Sequence, residues 1–189
     1  MKRTHIDLFD DNSWGWVLSN ATITGGVADI TSNLGNIKRT PNSNWYSGST
    51  DDFITEINWK MDTDVAEIGQ IFRIKLVGDE NEILFHIHGT TYDKYKISHG
   101  GVEKASSSPG EFNPAIGVWY TAKLRRVGTT YYFRPAITES EISWNYGTQR
   151  VLEYIRLSFD GCTGEFDNFK YYPIEIPSIG IGVGNPLIL

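Results

Sequence analysis

Apolar and polar residues alternate with a period of two along most of this chain, the signature of strands that each bury one face. The clearest run is 53–61, where Phe53, Thr55, Ile57, Trp59 and Met61 share one side and Ile54, Glu56, Asn58 and Lys60 the other. Ile68, Gln70, Phe72, Ile74 and Leu76 then line up against Arg73 and Lys75. Gly78-Asp79-Glu80-Asn81 turns the chain into Ile83, Phe85 and Ile87, which alternate with Leu84, His86 and His88. Residues 92–98 continue this meander until His99-Gly100-Gly101 breaks it.

A second group of strands surrounds 117–134. Tyr120, Ala122 and Leu124 alternate with Thr121, Lys123 and Arg125, and the aromatic run Tyr131-Tyr132-Phe133 follows Gly128. That pattern predicts a hairpin turning at Val127-Gly128-Thr129, where Gly tolerates the positive φ of a tight turn. Upstream, residues 6–9 read as a short strand, and 21–24 with 27–31 as a hairpin around Gly25-Gly26. Downstream, Val151, Glu153, Ile155, Leu157 and Phe159 alternate with Leu152, Tyr154, Arg156 and Ser158, and 165–172 form a closing strand. Two polar, turn-rich connections interrupt the pattern, at 32–52, with one weak edge strand near Ile37, and at 104–117. No window sustains a 3.6-residue period, so helix content is expected to be very low. The succession of strands and turns predicts an all-β chain folded as a two-sheet antiparallel β-sandwich.

At 189 residues the chain can bury one substantial core, and no linker divides it into two patterned halves. Its end departs from the pattern. From 173 onward, PIEIPSIGIGVGNPLIL carries a single charge among repeated Gly and Pro, too apolar for an ordinary solvated tail and unable to form a core alone. The expected organisation is a sandwich domain over 1–172 and an extended apolar C-terminal tail over 173–189 that contacts other protein subunits.

Net charge is −6, and basic residues cluster no further than pairs such as Arg125-Arg126, so the sequence shows no electrostatic footprint for nucleic acid. Cys162 is the only cysteine, which excludes an intrachain disulfide, and no His stands near it in sequence to activate a thiolate. The N-terminus lacks the apolar stretch of a signal peptide, and no run approaches the ~20 apolar residues of a membrane helix. Synthesis in the cytoplasm without a membrane span is expected.

The order of three short motifs is recognisable. An opening Leu8-Phe9-Asp10-Asp11-Asn12 with Trp14, a Gly117-Val118-Trp119-Tyr120 strand, and a closing Gly164-Glu165-Phe166-Asp167-Asn168-Phe169 resemble the concanavalin A-like lectin/glucanase superfamily, with the closest similarity to its laminin-G-like jelly rolls. The resemblance spans about residues 6–172. It implies two stacked antiparallel sheets with the terminal strands side by side, and carbohydrate binding on one face or its rim.

Glucan-cleaving members of that superfamily carry two glutamates and an aspartate at alternate positions of a strand. The nearest string here, Glu56-Ile57-Asn58-Trp59-Lys60, offers one carboxylate, so a retaining mechanism cannot run on it and no enzymatic activity is expected. His86 and His88 share a strand face and could begin a zinc site, but two ligands do not complete one. The resemblance points to the seam between terminal strands as a structural calcium site, with Asp167 joined by Asp10 or Asp11 and by backbone carbonyls. For a glycan, Trp45 and Tyr46 combine rings and polar neighbours in the first long connection, and Trp144-Asn145-Tyr146 does so again. The alternative for both is that the rings cap the sandwich ends. Trp59 and Trp119 fall within strands and are assigned to packing.

Two functions compete on this reading. The first is a non-catalytic structural or adhesion protein, a virus-particle or phage surface subunit (a decoration or fibre protein) assembled through its tail. The second is a stand-alone, lectin-like carbohydrate-binding module that recognises glycans through loop aromatics. The apolar tail and the lack of a secretion signal favour the first as the expectation.

Overall fold

The computed structural model describes residues 5–12, 15–32, 35–39, 52–63, 68–88 and 93–174. Among them are fifteen strands and no helix. In chain order these are β1 (His5–Asp7), β2 (Val17–Ser19), β3 (Ala21–Thr24), β4 (Val27–Ile30), β5 (Asn36–Arg39), β6 (Phe53–Met61), β7 (Ile68–Leu76) and β8 (Glu82–His88). They continue with β9 (Lys94–His99), β10 (Val102–Ser106), β11 (Tyr120–Val127), β12 (Thr130–Arg134), β13 (Ile142–Asn145), β14 (Leu152–Ser158) and β15 (Gly164–Pro173).

They form two antiparallel sheets. One runs β13-β12-β11-β6-β15-β4-β3 with β1 also on β15, and the other runs β10-β9-β8-β7-β14-β5-β2. The terminal strands lie side by side, Ile6 opposite Lys170, as the resemblance implied.

The period-two pattern places the core. β6 alternates buried and half-buried residues along its whole length, and the buried Ile83, Phe85 and Ile87 of β8 belong to the same core. Phe133 bridges the layers, with ring centroids 5.7 Å from Phe85, 6.3 Å from Tyr95 and 6.5 Å from Phe72. Trp59 is fully buried and donates its indole N–H to Pro135 O at 2.8 Å. The 120–134 hairpin forms as predicted, with Val127 paired to Thr130 and Gly128 at φ +58°.

Three differences from the pattern have local causes. A register shift between Gln70 and Phe72 interrupts the alternation of β7, so Ile71 and Phe72 are both buried. β10 begins before the predicted second connection and runs into it; the strand is exposed along most of its length, so it has no apolar alternation to read. Trp119 does not pack as assigned. It precedes β11 at the sheet end, is 43% exposed and stands 5.3 Å from Lys60 Nζ.

Candidate functional site

The opening motif builds a compact corner. Asn12 Oδ1 accepts the Trp16 N–H at 2.7 Å, and Asn12 Nδ2 donates to Trp16 O at 3.0 Å. The Trp16 indole N–H reaches the buried Asp7 carboxylate at 2.7 Å, and the Trp16 ring meets Phe169 edge-on at 5.2 Å. Burial pushes the Asp7 carboxyl up, against these hydrogen bonds. Beside this corner Asp167 is also raised, by burial first and in part by the neighbouring charge of Asp10. Asp167 thus feels the charge of Asp10 across the seam between the terminal strands. Among the described residues no group of three or more His, Cys, Asp or Glu side chains assembles for a metal.

The other predicted residues have different fates. Trp45, Tyr46 and the tail from 175 lie outside the described residues, as does Trp14. Trp144 and Tyr146 come together edge-to-face at 5.5 Å, at the end of the sandwich. There the Tyr146 hydroxyl donates to Asp79 Oδ2 at 2.6 Å, the same oxygen that His99 Nε2 reaches at 2.9 Å. His99 stacks obliquely on Trp144 at 5.5 Å, and Lys104 Nζ stands 5.8 Å from the indole. His86 is buried and shares a hydrogen bond with Ser98 Oγ at 2.9 Å. Glu56, Asn58 and Lys60 of the 56–60 string face outward on the eight-stranded sheet. These side chains make ordinary cross-strand pairs: Glu56 with Lys123 at 3.9 Å, Asn58 with Thr121 at 2.9 Å and Lys60 with Glu165 at 2.9 Å.

The seven-stranded sheet carries something the linear sequence concealed. Its register sets Lys38 of β5 opposite Arg156 of β14, and Arg156 opposite Arg73 of β7. One row along, Tyr154 and Glu82 both lie opposite Lys75. All point away from the core, because their strand neighbours Ile37, Ile155, Ile74 and Ile83 are fully buried. Glu82 is the hub. It accepts the Tyr154 hydroxyl at 2.7 Å and lies 3.4 Å from both Arg73 Nη1 and Arg156 Nη2. Arg73 Nε also donates to Ser158 Oγ at 3.1 Å. The Tyr154 ring has Lys38 Nζ at 5.1 Å and the Arg156 guanidinium at 5.3 Å. Arg73, Glu82 and Arg156 keep only 18–22% of their side-chain surface exposed, so these charges are held in a partly dehydrated, ordered layer. Burial and the Glu82 bond together push the Tyr154 phenol up to about 12. Such a surface presents guanidinium forks, ammonium groups and a phenol ring in fixed positions, and can hold a ligand rich in oxygen atoms.

The fold is a two-sheet antiparallel sandwich of jelly-roll type, as the resemblance implied. The sequence matches no protein-family model, and no curated protein matches it. Solved structures do share the sandwich. The Trypanosoma rangeli sialidase in complex with sialic acid superposes with a TM-score of 0.61 at 9% identity, over 85% of this chain and 28% of the sialidase. An alginate lyase of polysaccharide lyase family 7, AlgAT5, gives 0.52 at 13% identity over 85% of this chain and 77% of its own. The carbohydrate-binding module CBM66 from Bacillus subtilis gives 0.55 at 14% identity over 83% of this chain and 94% of the module. This chain thus spans under a third of the sialidase and nearly the whole module. These identities establish the fold alone.

They also correct one expectation. The missing carboxylates on 56–60 led to a protein without enzymatic activity. The same sandwich occurs within a sialidase, over 28% of its chain, and within an alginate lyase, over 77%, so failing one glucanase pattern does not exclude catalysis in a protein with this fold.

Proposed function

We propose that the protein recognises carbohydrate, and that it does so on the outward face of the seven-stranded sheet. The observation that carries this reading is the pinned layer around Glu82, where Arg73, Arg156 and Tyr154 are fixed to one another before any ligand arrives. Fixing such side chains in advance lowers the conformational entropy that binding must overcome. Supporting it, a carbohydrate-binding module of similar extent has the same fold. Trp144 and Tyr146 are less well placed for stacking, since their contacts run to His99 and Asp79.

Affinity electrophoresis through gels containing a panel of soluble polysaccharides tests the proposal. Retardation by at least one polysaccharide, reduced in Arg156→Ala, is expected. Migration unchanged by every polysaccharide in the panel removes the reading.

A further inference from the structure

We infer that the seven-stranded face takes an acidic polysaccharide, one bearing a carboxylate or sulfate on successive sugars, with Lys38, Arg156, Arg73 and Lys75 as its counter-charges. This rests on the carbohydrate reading above and adds the charge class of the ligand.

The first ground is register. Lys38, Arg156 and Arg73 are direct neighbours on three adjacent strands. Like charges placed opposite each other across strands destabilise a sheet. The fold retains three in a row, in a chain whose net charge is −6. Glu82 offsets part of that repulsion, and Asp160 contacts Arg73 at 3.7 Å from the edge. Neither Lys38 nor Lys75 makes an ion pair among the described residues.

The second ground is the rest of the face. Lys94 and Lys96 of β9 lie on the same side as Lys75 and share one carboxylate, Glu103, at 3.1 and 3.9 Å. The Lys96 ammonium is lowered from its ordinary value, mainly by burial and in part by Lys94. Six cations thus stand against Glu82, Glu103, Asp160 and the Glu153 beside Tyr154 on one sheet surface, and a polyanion would supply the remaining negative charge.

The third ground is spacing. Adjacent strands are about 4.8 Å apart, comparable with the length of one pyranose unit, so an extended chain crossing β5, β14 and β7 presents one acid group per cation. Arg73 and Arg156 suit carboxylate and sulfate oxygens through their planar forks. Nucleic acid is the less fitting polyanion, because among the described residues Tyr154 is the one ring that contacts these cations, where single strands need a series of stacking platforms.

The test uses the full chain in gels containing polygalacturonate, dextran sulfate or neutral dextran, and in solution with single-stranded oligothymidine. Both acidic polymers are expected to bind, and their relative strength assigns carboxylate or sulfate. Binding is expected to weaken about tenfold when NaCl rises from about 50 to about 500 mM, as screening requires. The double variant Lys38→Ala with Lys75→Ala, shown by circular dichroism to keep its fold, is expected to bind about five- to tenfold more weakly. Binding to dextran alone overturns the acidic class while leaving carbohydrate recognition standing. Failure with all three polysaccharides overturns the inference, and extending that failure across the wider panel removes recognition as well. Oligothymidine bound as tightly as the acidic polymers overturns the inference in favour of nucleic acid. Acid binding untouched by the double variant overturns the site.

Discussion

The Tyr154 hydroxyl and the Glu82 carboxylate meet at 2.7 Å, although one belongs to β14 and the other to β8. β7 lies between those two strands, so the bond crosses above Lys75 and ties three strands together on the outer face.

That contact is expected to show in alkaline titration. The Tyr154 pKa is raised to about 12 in the folded protein, so its stabilising effect is complete below the ordinary value of 10 and is lost as pH climbs towards 12. Glu82→Gln is expected to bring the phenol back towards 10, read by ultraviolet titration of tyrosinate. Tyr154→Phe is expected to cost about 1–2 kcal/mol in urea unfolding at neutral pH. A Glu82→Gln titration curve identical to that of the parent contradicts the contact.

Asp79 governs the acid limb. Burial pushes its carboxyl up, but bonds from Tyr146, the Asn81 N–H and His99 outweigh this and hold it below the ordinary value of 3.8. A depressed folded pKa means the contribution is present above about pH 4 and disappears as pH falls further. Asp79→Asn is expected to lower stability at pH 7 by about 1–2 kcal/mol and to flatten the loss of stability below pH 4. Equal slopes for variant and parent in acid melting curves count against it.

The terminal seam predicts a response to calcium. Burial first, and then the charge of Asp10, raise the Asp167 carboxyl, and a cation shared by the two with backbone carbonyls and water would relieve that repulsion. Millimolar calcium is expected to raise the melting temperature, and Asp167→Asn to abolish the rise. A melting temperature indifferent to calcium and to chelator disposes of the site.

Gly164 begins β15 where no side chain fits. A Cβ there would meet the Lys60 carbonyl oxygen and approach Phe159 ring atoms at 2.7 and 2.9 Å. Phe159 cannot easily give way, since it stacks on Phe166 at 4.7 Å. Gly164→Ala is expected to cost about 1–3 kcal/mol, measured by the denaturant midpoint.

The strands that bury one face could be read directly, because β6 and β8 repeat their apolar positions without interruption. β10 could not, since a mostly exposed edge strand leaves no such trace. The opening and closing motifs pointed to the right fold, and the contacts around Asn12 and Trp16 show why: they fix a corner. The cation row was hidden for a different reason. Lys38, Arg73 and Arg156 are far apart in sequence and become neighbours only through strand pairing, so no local cluster of basic residues marks them. Trp119 departs from its assignment because β11 begins only at Tyr120, which leaves the preceding ring exposed at the sheet end.

The position of β15 has a consequence for how the chain acquires its shape. It is the last in sequence of the strands among the described residues, yet it fills the slot between β6 and β4 and also carries β1. During synthesis, β6 must wait with one edge unpaired until residues 164–173 have left the ribosome. The eight-stranded sheet therefore closes late and in a single step, which places folding at the slow, millisecond-to-second end for small domains. A chain arrested before Gly164 presents β6 as an open template for pairing with other nascent chains, so aggregation is expected to rise sharply with truncation at that point.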